Sequence, residues 1–233
     1  MRRVLTITCI MLAVAAVATG SEERILKDAV PVADVETLRV DTSVGDVSIT
    51  GTDGEVLTVE VELTARRGGF FSSLAKSERV VESARIEVLR RDGVVDLRID
   101  AEGDEDDRRF EERWTIRAPA RMSVVLDTGV GDVEIDGIAG DIEVDAGVGD
   151  IEVRAGGGDV TLDLGVGDAR VIASAQAYGL VECSGGIGDS RIDVGDRRSS
   201  SDGFMGHSTS WRGDGAGTIE IDAGVGDVVV ILK

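Results

Sequence analysis

Five Gly-Asp pairs recur at a fixed step of nine residues, starting at Gly131, Gly140, Gly149, Gly158 and Gly167. A fixed period means one structural unit copied and stacked on itself, so this feature narrows the possible folds more than any other. The fuller form Gly-Val-Gly-Asp begins at Gly129, Gly147 and Gly165, which makes the stricter period 18 residues. Each Gly-Asp is followed by alternating residues: Val133-Glu134-Ile135, Ile142-Glu143-Val144, Ile151-Glu152-Val153 and Val160-Thr161-Leu162. Alternation with β-branched side chains predicts strands of about five residues. The glycines on either side supply turns. A strand this short cannot bury its apolar face alone, but copies stacked about 4.8 Å apart can.

The 18-residue step predicts coils of two short strands. Val133, Ile151 and Ala169 should stack on one wall, with Ile142 and Val160 on the opposite one. The expected fold is all-β, a flattened β-solenoid or β-helix with about two short strands per 18-residue coil. A left-handed hexapeptide helix also closes a coil in 18 residues. Its six-residue phase from Val133 lands on Ala139 and then Asp145, a poor core position. A β-sandwich of hairpins also suits nine-residue spacing.

The rest of the chain is organised around residues 128–172, the most regular repeats. Residues 21–36 read as a polar linker, and 37–233 as a single domain. Its first part, 37–127, reads as more irregular antiparallel strands with longer connections. An early Gly-Asp copy sits at Val44-Gly45-Asp46-Val47. Arg91-Asp92-Gly93, between alternating runs, is a hairpin signal. The stretch 65–77 breaks the alternation, residues 72–84 suit a short helix, and Glu102 to Arg109 is a charge run. Residues 197–215 read as an inserted loop before the repeat returns at Gly217 and Gly224. The chain then closes on the apolar run Val228 to Leu232. The inserted loop, with Phe204, Met205 and Trp211, is expected to cover that open strand edge.

The N-terminus carries Arg2 and Arg3, an apolar run from Val4 to Ala18, and a small-residue end, Ala16-Val17-Ala18-Thr19-Gly20. This is the pattern of a secretory signal over residues 1–20. The run is short for a bilayer span, so no membrane span is expected in the mature chain. Export to the periplasm, to the cell envelope or out of the cell follows. The chain has 25 Lys plus Arg against 45 Asp plus Glu, a net charge of −20, and losing Arg2 and Arg3 makes it −22. That charge excludes nucleic acid as a partner and repels anionic membranes. Cys9 falls in the signal, which leaves Cys183 alone and expected to be a buried thiol.

The run GDVEIDGIAGDIEVDAGVGDIEV, the earlier VGDVSITG and the Ala118-Pro119 step resemble the bacterial putative-adhesin family over about residues 37–232. The resemblance implies a right-handed β-solenoid in the cell envelope and brings no catalytic residues. The function expected is a non-enzymatic exported interaction or scaffold module, whose partner is a protein or an envelope polymer. The alternatives are a calcium-stabilised β-roll-like module and an envelope sensor accessory acting through a protein partner.

The Asp of each repeat is the most suggestive chemistry. Asp132, Asp150 and Asp168 should form one outward ladder, and Asp141 and Asp159 another. Such ladders suit calcium, which prefers several oxygen ligands. The calcium nonapeptide G-G-x-G-x-D-x-U-x has a spacer before its Asp, whereas here Asp follows Gly directly. The competing reading is that each Asp accepts a hydrogen bond from turn backbone. No other cofactor is expected. His207 has no metal-ligand spacing around it. Ser73-Leu74-Ala75-Lys76 matches S-x-x-K without the accompanying S-D-N and K-T-G elements. Aromatic residues are 3% of the chain, too few to stack on sugar rings.

Overall fold

The computed structural model describes residues 23–65, 80–102, 110–203 and 206–233. Residues 1–22, which include the expected signal, nearly all of 65–77, most of the Glu102–Arg109 charge run, and Phe204 with Met205 lie outside the described residues. Seventeen strands follow in order: β1 (Glu23–Pro31), β2 (Thr37–Thr52), β3 (Val56–Ala65), β4 (Arg85–Arg91), β5 (Val94–Asp100), β6 (Phe110–Pro119), β7 (Ser123–Val130), β8 (Val133–Ile138), β9 (Ile142–Val148), β10 (Ile151–Ala155), β11 (Val160–Val166), β12 (Ala169–Ala173), β13 (Tyr178–Val194), β14 (Arg197–Gly203), β15 (His207–Arg212), β16 (Gly217–Val225) and β17 (Val228–Leu232). Residues 80–83 make one helical turn at the end of the stretch read as a helix.

The repeat sets the register of the middle of the molecule. Strands β8, β10 and β12 pair in parallel, with Val133 opposite Ile151 and Ile151 opposite Ala169. Strands β7, β9 and β11 do the same, with Val124, Ile142 and Val160 aligned. Each 18-residue unit therefore gives one strand to each of two ladders, as the period predicts. Inward residues such as Ile135, Val144, Val153 and Leu162 are buried, while Glu134, Glu143 and Thr161 between them stay in contact with solvent. Both ladders feed one continuous core.

The order of the layers departs from the order of the chain at both ends. Long strand β2 passes through both ladders. Its first half lies between β5 and β7, and its second half between β6 and β8. The early Gly-Asp copy is thus a full layer whose partners β5, β6, β7 and β8 are all parallel, which corrects the antiparallel reading of 37–127. Among the described residues, antiparallel pairing there is confined to β1–β3, β3–β6 and the β4–β5 hairpin. Asp92 and Gly93 at the tip of that hairpin have φ of 48° and 80°, as a two-residue turn with both residues left-handed requires.

At the far end, β16 and β17 insert between the β11–β12 layer and β13. The expected open edge does not exist, because β17 is hydrogen-bonded on both sides, to β12 and β13. Residues 197–215 are not a loop over that strand. They supply β14 and β15, which close the stack by pairing antiparallel with the two halves of β13. Residues 21–36 likewise are not merely a linker, since β1 pairs with β3 along its whole length. Its mostly half-exposed burial pattern explains why alternation did not reveal it.

Candidate interaction surface

A Gly-Val-Gly-Asp corner, or its variants Ser43-Val44-Gly45-Asp46 and Gly186-Ile187-Gly188-Asp189, joins the two ladders, and its glycines are dictated by stacking. Gly45, Gly131, Gly149, Gly167, Gly226 and Gly188 have φ between 140° and 155°. A Cβ on Gly149 would sit 2.0 Å from the carbonyl oxygen of Gly131, and one on Gly167 2.0 Å from that of Gly149. The first glycine of the motif is nearly as tight: a Cβ on Gly147 would lie 2.4 Å from the Gly129 carbonyl oxygen. Two columns without side chains result.

Between these columns stands an apolar ridge. Val44, Val130, Val148, Val166, Val225 and Ile187 align in register across successive layers. Val130, Val148, Val166 and Ile187 are 46–48% exposed and Val225 42%, while Val44 at the end of the row is half-buried. Single exposed valines mean little, but five exposed residues in register, with half-buried Val44 at their end, form a contiguous surface of the kind that marks contact sites.

Carboxylate columns flank the ridge on both sides. Beyond the second glycine run Asp46, Asp132, Asp150, Asp168, Asp227 and Asp189, so the predicted ladder of Asp132, Asp150 and Asp168 is real and longer. Its members are tied together through backbone. The Asp150 amide donates to Asp132 Oδ1 at 3.0 Å, Asp168 to Asp150 at 2.9 Å, Asp227 to Asp168 at 2.8 Å and Asp189 to Asp227 at 2.9 Å. At the opposite corner Asp159 donates to Asp141 Oδ1 at 2.9 Å, and Thr218 donates to Asp159 Oδ1 at 2.8 Å. The structure thus brings the predicted residues together as turn-backbone acceptors. Among the described residues no group of three or more His, Cys, Asp or Glu side chains is arranged to hold a metal ion.

On the other side of the ridge lies a column that the sequence reading missed: Asp41, Asp127, Asp145, Asp163 and Asp222. These side chains are exposed. Its signal was present as an Asp three residues before each ridge valine. Like charges about 4.8 Å apart repel by about 0.9 kcal/mol in water before screening. The first column offsets that with its charge-assisted amide bonds. Among the described residues, the side chains of Asp127, Asp145, Asp163 and Asp222 take part in no hydrogen bond or ion pair, so their charge is available to a partner.

Glu112 lines a cleft of about 300 Å3 with Asp46, Glu62 and Arg113 at one end of the ridge. Its Oε2 accepts from Thr42 Oγ1 at 2.8 Å and from Trp114 Nε1 at 2.7 Å. Burial pushes its carboxyl above the usual range, and those two donors pull it back. His207 is not in a loop; it lies on β15, buried, its ring against Gly185, with neither ring nitrogen hydrogen-bonded among the described residues. Cys183 is buried, and burial pushes its thiol up to about 12. Ser73 and Lys76 lie outside the described residues. Among the described residues no helix is long and apolar enough to cross a membrane.

No protein-family model and no curated protein matches the sequence. The fold is that of a crystal structure described as a putative cell adhesion protein from Clostridium sporogenes, with a TM-score of 0.60 at 17% identity, covering 91% of this chain and all of that one. A putative adhesin from Bacteroides fragilis also aligns over 90% of this chain and 97% of its own, at 14% identity and a TM-score of 0.33.

Proposed function

We propose that the chain is an exported, non-enzymatic, adhesin-like module of the cell envelope, and that the Gly-Val-Gly-Asp edge is its contact surface. The observation that carries this reading is the ridge: six branched apolar side chains in register, five of them exposed at a solvent-facing corner between glycines. Such residues cost solvation where they stand, and a binding partner would cover them. The signal-like residues 1–20 support export, and the fold shared with a protein described as a putative cell adhesion protein supports a surface role. The stacked layers are read as right-handed solenoid coils. The partner is a protein or an envelope polymer.

The test is protease treatment of intact cells that produce the tagged chain, with lysed cells as control and mass spectrometry of the mature N-terminus. Digestion on intact cells, with a cytoplasmic marker untouched and residues 1–20 gone, is the expected result. A full-length chain recovered with the cytoplasmic marker refutes export and with it the proposed function.

A further inference from the structure

We infer that the ridge receives a cationic amphipathic helix of about 16 residues, lying along the stack with its apolar stripe on the valines and its basic shoulders on the two Asp columns. The inference rests on the reading of this edge as a contact surface and names the partner's chemistry.

Three observations select that occupant. The first is charge. The ridge runs between Asp41, Asp127, Asp145, Asp163 and Asp222 on one side and Asp46, Asp132, Asp150, Asp168, Asp227 and Asp189 on the other. A second copy of this chain would bring the same two columns against them, so self-association through the edge is opposed. A partner with positive charge on both sides of an apolar stripe is complementary.

The second is pitch. Six ridge residues about 4.8 Å apart span about 24 Å over five intervals. A helix offers one apolar position per 5.4 Å turn, so over five turns it drifts by about 3 Å, less than one rung. An extended strand repeats its face every ~6.8 Å and drifts by about 10 Å, two rungs. At 1.5 Å per residue the ridge accommodates about 16 helical residues. The third is access. Val130, Val148, Val166, Val225 and Ile187 each stand between two glycines, and Val44 between Ser43 and Gly45, so the residues beside the stripe present almost no side chain to a partner helix.

The experiment uses the mature chain and three labelled 16-residue probes, read by fluorescence anisotropy. One is a Leu/Lys peptide patterned as an amphipathic helix, one has the same composition in strict alternation, and one is the helical pattern with Glu replacing Lys. The helical Leu/Lys peptide should bind, becoming helical by circular dichroism. The alternating peptide should bind at least about tenfold more weakly, and the Glu peptide should not bind. Val148→Ser with Val166→Ser should weaken binding about tenfold with the melting temperature unchanged. Asp145→Asn with Asp163→Asn should weaken it and flatten its salt dependence.

Equal binding of the two Leu/Lys peptides overturns the inference, because it reports only polyanion attraction. Valine variants that lower the melting temperature but not the affinity also overturn it, because the ridge is then a stacking element. If no peptide binds while the valine variants abolish attachment of cells bearing the chain, the helix is wrong and the contact surface stands. If attachment is also unaltered, the contact surface falls with it.

Discussion

Replacing Gly149 with alanine should damage this protein far more than the loss of a glycine usually does. At φ of 146° the backbone sits where residues with a Cβ are scarcely found, a strain of about 1–3 kcal/mol. The new Cβ would also lie 2.0 Å from the carbonyl oxygen of Gly131 in the layer beneath. Relief requires the layers to part by more than 1 Å, and neither atom belongs to a side chain that can swing away. The bonds at stake are Gly131 N–H to Val148 O at 2.9 Å and Gly149 N–H to Val166 O at 3.0 Å, each worth about 1 kcal/mol. The sum is about 4 kcal/mol, or roughly 8–16 °C in melting temperature for a chain of this size. Gly137 is the control: its φ is 73°, and a Cβ there meets nothing within 4 Å. Gly137→Ala should cost only the left-handed penalty of about 1–2 kcal/mol. Calorimetry or denaturant melts of the two variants decide the matter. If Gly149→Ala falls within about 1 kcal/mol of Gly137→Ala, interlayer contact is not what fixes glycine in the motif.

Glu112 has a carboxyl raised by burial, so it favours the folded state most when protonated, below about pH 4.5, and that contribution is lost as pH rises through its folded value. Glu112→Gln should therefore match the parent in acid and exceed it at neutral pH, whereas Glu112→Ala, which strands Trp114 Nε1 and Thr42 Oγ1, should lose about 2–4 kcal/mol; thermal melts across pH measure both. Asp150→Ala removes the acceptor of the Asp168 amide and should cost about 1 kcal/mol, while Asp150→Asn keeps an acceptor and should stay within about 0.5 kcal/mol. Because those oxygens serve backbone amides, millimolar calcium should raise the melting temperature no more than sodium of equal ionic strength, and a calcium-specific rise would show that the ladder binds calcium. Cys183, with its thiol near 12 and its side chain buried, should react with thiol reagents only as fast as the chain unfolds, which stopped-flow labelling against denaturant would show.

What the sequence made legible was local, and what it hid was the order of assembly. The period alone placed Val133 over Ile151 over Ala169, because a register slip of one residue would turn every apolar side chain outward. It also placed Asp132, Asp150 and Asp168 in one column. The outer Asp145 column went unread because an Asp between apolar residues looks like any solvated strand position until its neighbours are aligned. The insertion of β16 and β17 could not be read at all. Gly224-Val225-Gly226-Asp227 and Gly186-Ile187-Gly188-Asp189 carry nearly the same motif, and either would stack acceptably on Gly165-Val166-Gly167-Asp168. The choice is made by contacts far apart in sequence. A Cβ on Gly179 would meet the Gly215 carbonyl oxygen at 2.2 Å, so the start of β13 closes only against the approach to β16. Placing β17 between β12 and β13 leaves β14 and β15 at the edge. β14 carries Arg197 and Arg198, while at the opposite edge β1 carries Arg24 and Lys27, and β4 Arg85, Arg90 and Arg91. Charged edge strands resist pairing with another chain, whereas apolar β17 would invite it. The same topology that hides the apolar final strand in the stack therefore leaves the valine ridge, among the described residues, as a row of exposed apolar side chains in register.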